Sequence, residues 1–111
     1  RIPDDEIIKN LRLIINTLQS DSIIPVLTTL TYVSTDYRRA RLFNRKVKRL
    51  NTSLLFMAEQ NNVDVIDLNP FLTDGRYLTK EYSEPDGIHL KPYAYLIWRD
   101  EIVRILIRYE I

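Results

Sequence analysis

Apolar residues recur at helical spacing in three stretches of the chain. Ile7, Leu11, Ile14 or Ile15, and Leu18 form the first stripe and predict a helix from about 4 to 20. Pro3 followed by Asp4, Asp5 and Glu6 suits its start, because proline fits a first turn and acidic side chains complement the helix dipole there. Phe43, Val47, Leu50, Leu54 and Met57 predict a second helix from about 38 to 61. Pro92 opens a third, with Tyr95, Trp98, Ile102, Ile105 or Leu106, and Tyr109 on one face. Between the helices, Ile23 to Thr29 and Val63 to Asp67 are short β-branched runs that read as strands. Pro25 argues for an edge or a bulge in the first, since proline cannot donate to a sheet ladder. Residues 30 to 37 read as a polar loop, and Leu68 to Lys91 as a long loop punctuated by Pro70, Gly75, Pro85 and Gly87.

The predicted order is helix, strand, helix, strand, loop, helix. Strands alternating with helices imply parallel pairing and an α/β layer architecture. Parallel sheets are covered on both faces and have several strands, so two strands and three helices read as half of a domain. No repeat, low-complexity tract or linker interrupts the chain.

Composition narrows the class. The 111 residues are 45% apolar and 28% charged, as in folded globular proteins. Lys and Arg number 16 against 15 Asp and Glu, a net charge of +1 that gives no reason to expect a polyanionic partner. There is no cysteine, which excludes disulfides, thiolate catalysis and zinc–sulfur sites. No apolar run approaches the ~20 residues of a membrane span, and RIPDDE lacks the features of a signal peptide. The chain opens on Arg1 and its only methionine is Met57, so a tag removal, a processing event or a longer parent protein is expected.

The candidate chemistry lies in PDGIHL. His89 is the only histidine, and Asp86 precedes it by three residues with Gly87 between them. A tight turn can bring that carboxylate to one ring nitrogen, fixing the tautomer and leaving the other nitrogen free as a base. Read alone, the spacing favours a turn aspartate beside a solvated or packed histidine.

The context adds to the spacing. VDVIDLNPFL, then GRYL, then EPDGIHLKPYAYLIW resembles the C-terminal part of the SGNH hydrolases, also called GDSL lipases and esterases. Upstream, IIPVLTTLTY and YRRARLFNRKVKRLN are similar to that family's fourth strand and following helix, including an Asn near Asn44. The resemblance runs from about 23 to 108. It implies a flavodoxin-like, three-layer α/β/α fold with a five-stranded parallel sheet, of which residues 1–111 would supply the last two strands. It also implies that His89 is the general base toward a serine nucleophile and that Asp86 orients its ring. The Gly-Asp-Ser nucleophile block and the blocks carrying the oxyanion Gly and Asn are absent from the 111 residues. The implied function is therefore the C-terminal half of a serine hydrolase for small acyl or acetyl esters, inactive alone, with the N-terminal half of the domain as its missing partner. No cofactor is expected. The Leu30 to Tyr37 and Leu68 to Pro85 loops are expected to shape the substrate pocket.

An internal nucleophile would have to be Ser20, Ser22, Ser34, Ser53 or Ser83, and none lies in a Gly-flanked strand-to-helix turn; Ser34, in a loop, stays open. A metal at Asp86 and His89 would need two further carboxylates. Separately, Arg38 to Arg49 holds seven Lys or Arg and no acid. Such a helix could serve a small non-enzymatic module that binds nucleic acid or anionic membrane. The near-zero net charge favours a solvated outer face, and Tyr93, Tyr95 and Trp98 are expected to pack the last helix rather than stack on bases.

Overall fold

The computed structural model describes residues 2–111. The elements are α1 (Asp4–Ser20), β1 (Val26–Thr28), α2 (Ala40–Gln60), β2 (Asp64–Ile66), α3 (Asn69–Leu72) and α4 (Ala94–Arg108). β1 and β2 pair in parallel, with Val26 opposite Asp64, Leu27 opposite Val65 and Thr28 opposite Ile66. The expected mixed α/β architecture with a parallel sheet is present.

Two apolar clusters sandwich this sheet. On one face Ile15 of α1 meets Leu54, Met57 and Ala58 of α2, with Leu27 and Val65 packed against them. On the other, Ile66 joins Leu68, Leu72, Leu78, and Ala94 and Ile105 of α4. Alternate residues of β2 thus feed opposite cores, as strand geometry requires. Met57 is completely buried and anchors the first cluster, where a fully buried side chain of its size contributes about 2 kcal/mol.

The structure corrects several expectations. The strands are three residues each, shorter than Ile23 to Thr29 and Val63 to Asp67, because Pro25 offers no N–H and, among the described residues, β1 finds a partner on one side only. Val26 is 43% exposed, so β1 is not the fully buried strand its β-branched run implies. The stretch Leu68 to Lys91 is not a bare loop. It contains α3, with Pro70 in its first turn, and two antiparallel bridges, Thr73 to Leu78 and Ser83 to Leu90.

The helix faces also differ from the expected stripes. In α2 the buried positions are Ala40, Asn44, Val47, Asn51, Leu54, Met57 and Ala58, while Phe43 sits at the solvent boundary. In α4 the buried residues are Ala94 and Ile105, with Ile97 and Trp98 packed beside them, and Tyr95 and Ile102 are exposed. Tyr93 is exposed as well and lies against Tyr82, while Tyr95 stacks on Trp98.

Candidate active site

Both parallel strands run toward one end of the sheet, and the loops that follow them hold each other there. Thr29 Oγ1 donates to Asp67 Oδ1 at 2.9 Å, joining the residues just past β1 and β2. The loop after β1 is then pinned to α2 by two buried asparagines seven residues apart. Asn44 Oδ1 accepts from the Val33 N–H at 2.8 Å, and its Nδ2 donates to the Val33 and Arg76 carbonyls, each at 2.9 Å. Asn51 does the same for Leu30, accepting from its N–H at 2.9 Å and donating to its carbonyl at 2.7 Å. Asn69 adds a third clamp through Tyr32 N–H and the Leu30 carbonyl. Every polar group of the buried asparagines therefore has a backbone partner, which is what lets amides sit in a core.

Onto this platform the 82–91 segment presents Asp86 and His89. The Ser83–Leu90 bridge, together with the Glu84 N–H donating to the His89 carbonyl at 2.8 Å, closes the base of the loop. At its tip, Asp86 Oδ1 accepts from the N–H groups of Ile88 and His89, both at 3.0 Å. Its other oxygen, Oδ2, takes the hydrogen bond of His89 Nδ1. Gly87 has φ +81°, and a β-carbon there would lie 2.5 Å from the Tyr37 nitrogen, so only glycine fits the turn.

A carboxylate only accepts, so Nδ1 of His89 carries the proton and Nε2 of the neutral ring is a base. The same bond governs both titrations. The hydrogen bond from the His89 ring, helped by the His89 and Ile88 backbone N–H groups, holds Asp86 down to about 2. The Asp86 hydrogen bond and then its charge raise His89 above the usual imidazole value of 6.5. The His89 side chain is 77% exposed, and its free edge meets solvent.

The candidate nucleophiles within the chain fare differently. Ser34 is wholly buried, its Oγ accepting from the Asp36 N–H and its own N–H donating to the Gly87 carbonyl at 2.8 Å. It supports the His89 turn and cannot meet a substrate. Ser83 is buried and donates to the Glu84 carbonyl. Ser20 and Ser53 bond to carbonyls of their own helices, and Ser22 is an exposed turn residue with φ +60°. Among the described residues, the His89 ring bonds to Asp86 and to no serine. No group of three His, Asp or Glu side chains is placed to hold a metal among the described residues. No described helix is long and apolar enough to cross a membrane.

The platform residues Asn51, Asn69, Asp67 and Thr29 are absent from the sequence-based site. Only Asn51 has a signal, and it is modest: Asn44, Asn51 and Ala58 are spaced by seven on the face that Val47 and Leu54 bury.

The fold has close counterparts. An assigned acylhydrolase from Bacteroides fragilis NCTC 9343 superposes with a TM-score of 0.81 at 18% identity, covering 98% of this chain and 54% of that one. A GDSL-like lipase from Bacteroides thetaiotaomicron VPI-5482 gives 0.80 at 17% identity, covering 96% of this chain and 54% of that one. The chain thus spans about half the length of these structures. Among curated proteins no sequence matches it. Residues 1–97 match the GDSL-like Lipase/Acylhydrolase family, and the chain belongs to that family.

Proposed function

We propose that this chain supplies the proton-transfer half of a serine ester hydrolase that acts on small acyl or acetyl esters through an acyl-enzyme. The observation that carries the reading is the Asp86–His89 turn, with Nδ1 committed to a carboxylate and Nε2 free at the surface. In this reading a serine hydroxyl and the oxyanion donors come from a segment outside these 111 residues, completing a domain of which the chain is the C-terminal half. The half-length correspondence to the two structural neighbours and the two-stranded sheet support that division.

Nε2 of His89 takes the serine proton as Oγ attacks the ester carbonyl, and Asp86 stabilises the imidazolium that forms. Collapse of the tetrahedral intermediate passes that proton to the departing alcohol and leaves the acyl group on serine. A water molecule, deprotonated by the same nitrogen, then releases the acid. Family membership supports the hydrolase class.

The test is esterolysis of p-nitrophenyl acetate by a protein that carries these residues together with a Gly-Asp-Ser segment. His89→Ala is expected to lower kcat about 10³-fold. The 111-residue chain alone is expected to release no product above buffer. Undiminished turnover by the His89 variant, or stoichiometric labelling of the isolated chain by a fluorophosphonate, would overturn the proposal.

A further inference from the structure

Beside the strand-end loops, α2 and the turn at 75–77 enclose a groove of about 230 Å³. Its walls carry Arg41, Arg45 and Lys48 from α2, Arg76 from the turn, and the rings of Tyr32 and Tyr77. Among the described residues no carboxylate lines it. Among the described residues, none of these four cations forms an ion pair, whereas Arg49 on the same helix is paired with Asp4.

On α2 the cations of the groove repel one another. Arg41 and Arg45 are one helical turn apart, and like charges at that spacing repel. Arg41 also occupies the first turn of α2, where the helix dipole disfavours a cation and where no acidic side chain compensates. The groove is nevertheless well built. Buried Asn44 ties the Arg76 carbonyl to α2, and the Asp74 carboxylate accepts the Arg76 and Tyr77 N–H groups, each at 2.8 Å. Those backbone bonds, helped by the charge of Arg76, hold Asp74 below the usual carboxylate range. Asp74 and Asp67 line the neighbouring groove, which shares Tyr32 and Lys48 with this one. The fixed turn places Arg76 on the wall of the groove that also carries the arginines of α2.

We propose that this groove is an oxyanion subsite that takes the phosphate or sulfate group of a small-molecule substrate. Several guanidinium groups converging on one concave place suit a tetrahedral oxyanion, whose oxygens accept paired N–H bonds. Its position fits a substrate subsite. Both walls follow the carboxyl ends of β1 and β2, where open parallel sheets bind ligands. The same end carries the Asp86–His89 turn, through the hydrogen bond from Ser34 to Gly87. The word substrate rests on the hydrolase reading above, but anion binding does not depend on it.

The experiment titrates the full chain with inorganic phosphate, against chloride at matched ionic strength, and follows backbone amide shifts by NMR. Saturable shifts are expected at Gly75, Arg76 and Tyr77. Arg45→Gln and Arg76→Gln should each weaken binding about tenfold, the loss of one charge-assisted contact. Arg99→Gln, an exposed cation on α4, should leave binding unchanged, and circular dichroism checks that each variant is folded. Absent saturation, or equal weakening by Arg99→Gln, would overturn the proposal. So would binding confined to phosphatidylserine vesicles or an oligonucleotide with none to phosphate. Phosphate binding with no esterolysis in the longer protein would retain the subsite and refute the hydrolase reading instead.

Discussion

The Gly87 carbonyl accepts a hydrogen bond from the Ser34 N–H at 2.8 Å, so the turn that carries His89 is fastened to the loop leaving β1. The fastening works only because Gly87 lies almost against the backbone of Tyr37, at a φ that glycine adopts freely. Gly87→Ala should therefore be destructive. The left-handed conformation costs an alanine about 1 kcal/mol, and the clash with Tyr37 adds to it. A loss of about 2 kcal/mol or more is expected in urea unfolding. Gly75→Ala is the contrast, since its φ is also positive but nothing lies within 4 Å of a β-carbon there. Equal midpoints for the two variants would contradict the close approach.

His89 is the only imidazole, so its titration can be read from a single NMR resonance. Asp86 raises its pKa, so the midpoint should lie above 6.5, and Asp86→Asn should bring it back toward that value. A folded pKa above the unfolded one stabilises the protein below pH 6.5, and this contribution fades as pH rises through the folded midpoint. Asp86, held at about 2, contributes in the opposite sense, its share being lost only in acid as pH falls through its own range. In the proposed hydrolase the base form is required, so the rising limb of the rate profile should move to lower pH in Asp86→Asn while kcat falls. An unmoved His89 midpoint in that variant would show that the pair is not coupled.

Asn44 tests the platform beneath the turn. Truncation to alanine leaves the buried Val33 N–H and carbonyl without partners and frees the Arg76 carbonyl. A loss of about 3 kcal/mol is expected by denaturant unfolding. Asn44→Asp should fare no better, because a carboxylate keeps the Val33 N–H but faces two carbonyl oxygens. A change below about 0.5 kcal/mol for alanine, the range of ordinary surface substitutions, would mean that the loop is held elsewhere.

Much of this arrangement is visible in the chain itself. Helix α1 spans the residues its apolar stripe and acidic start predict, because the stripe is clean and Ser20 to Ser22 end it sharply. Asp86, Gly87 and His89 come together as expected, since a turn of four residues leaves little freedom. The face of α4 is harder to read. In AYLIWRDEIVRILIR nearly every turn offers apolar residues on more than one side, so periodicity alone does not choose Ile97 and Ile105 over Tyr95 and Ile102. α3 is a single turn and too short to show a period at all. The inward asparagines of α2 escape a reading based on hydrophobicity, because their burial depends on backbone groups of two loops, eleven to thirty-two residues away. Ser34 stays ambiguous for the same reason, as its burial is set by Gly87, far along the chain.

The unpaired side of β1 yields the last prediction. Among the described residues β1 pairs only with β2, so its other edge presents free N–H and carbonyl groups beside Ile23, Ile24 and Val26, all about half exposed. An open apolar edge of this kind is a template for another strand. In the proposed domain that strand belongs to the remaining half, and in the isolated chain its place falls to a second copy. The 111-residue chain should therefore self-associate, with an apparent mass that rises with concentration in light scattering. Val26→Lys should suppress this by placing a charge on the edge, next to Asp64 in register. Ile107→Lys, which alters a more exposed apolar residue on α4, should change little, because α4 has no open backbone. Suppression by both variants alike would point to generic stickiness, and the edge would lose its role.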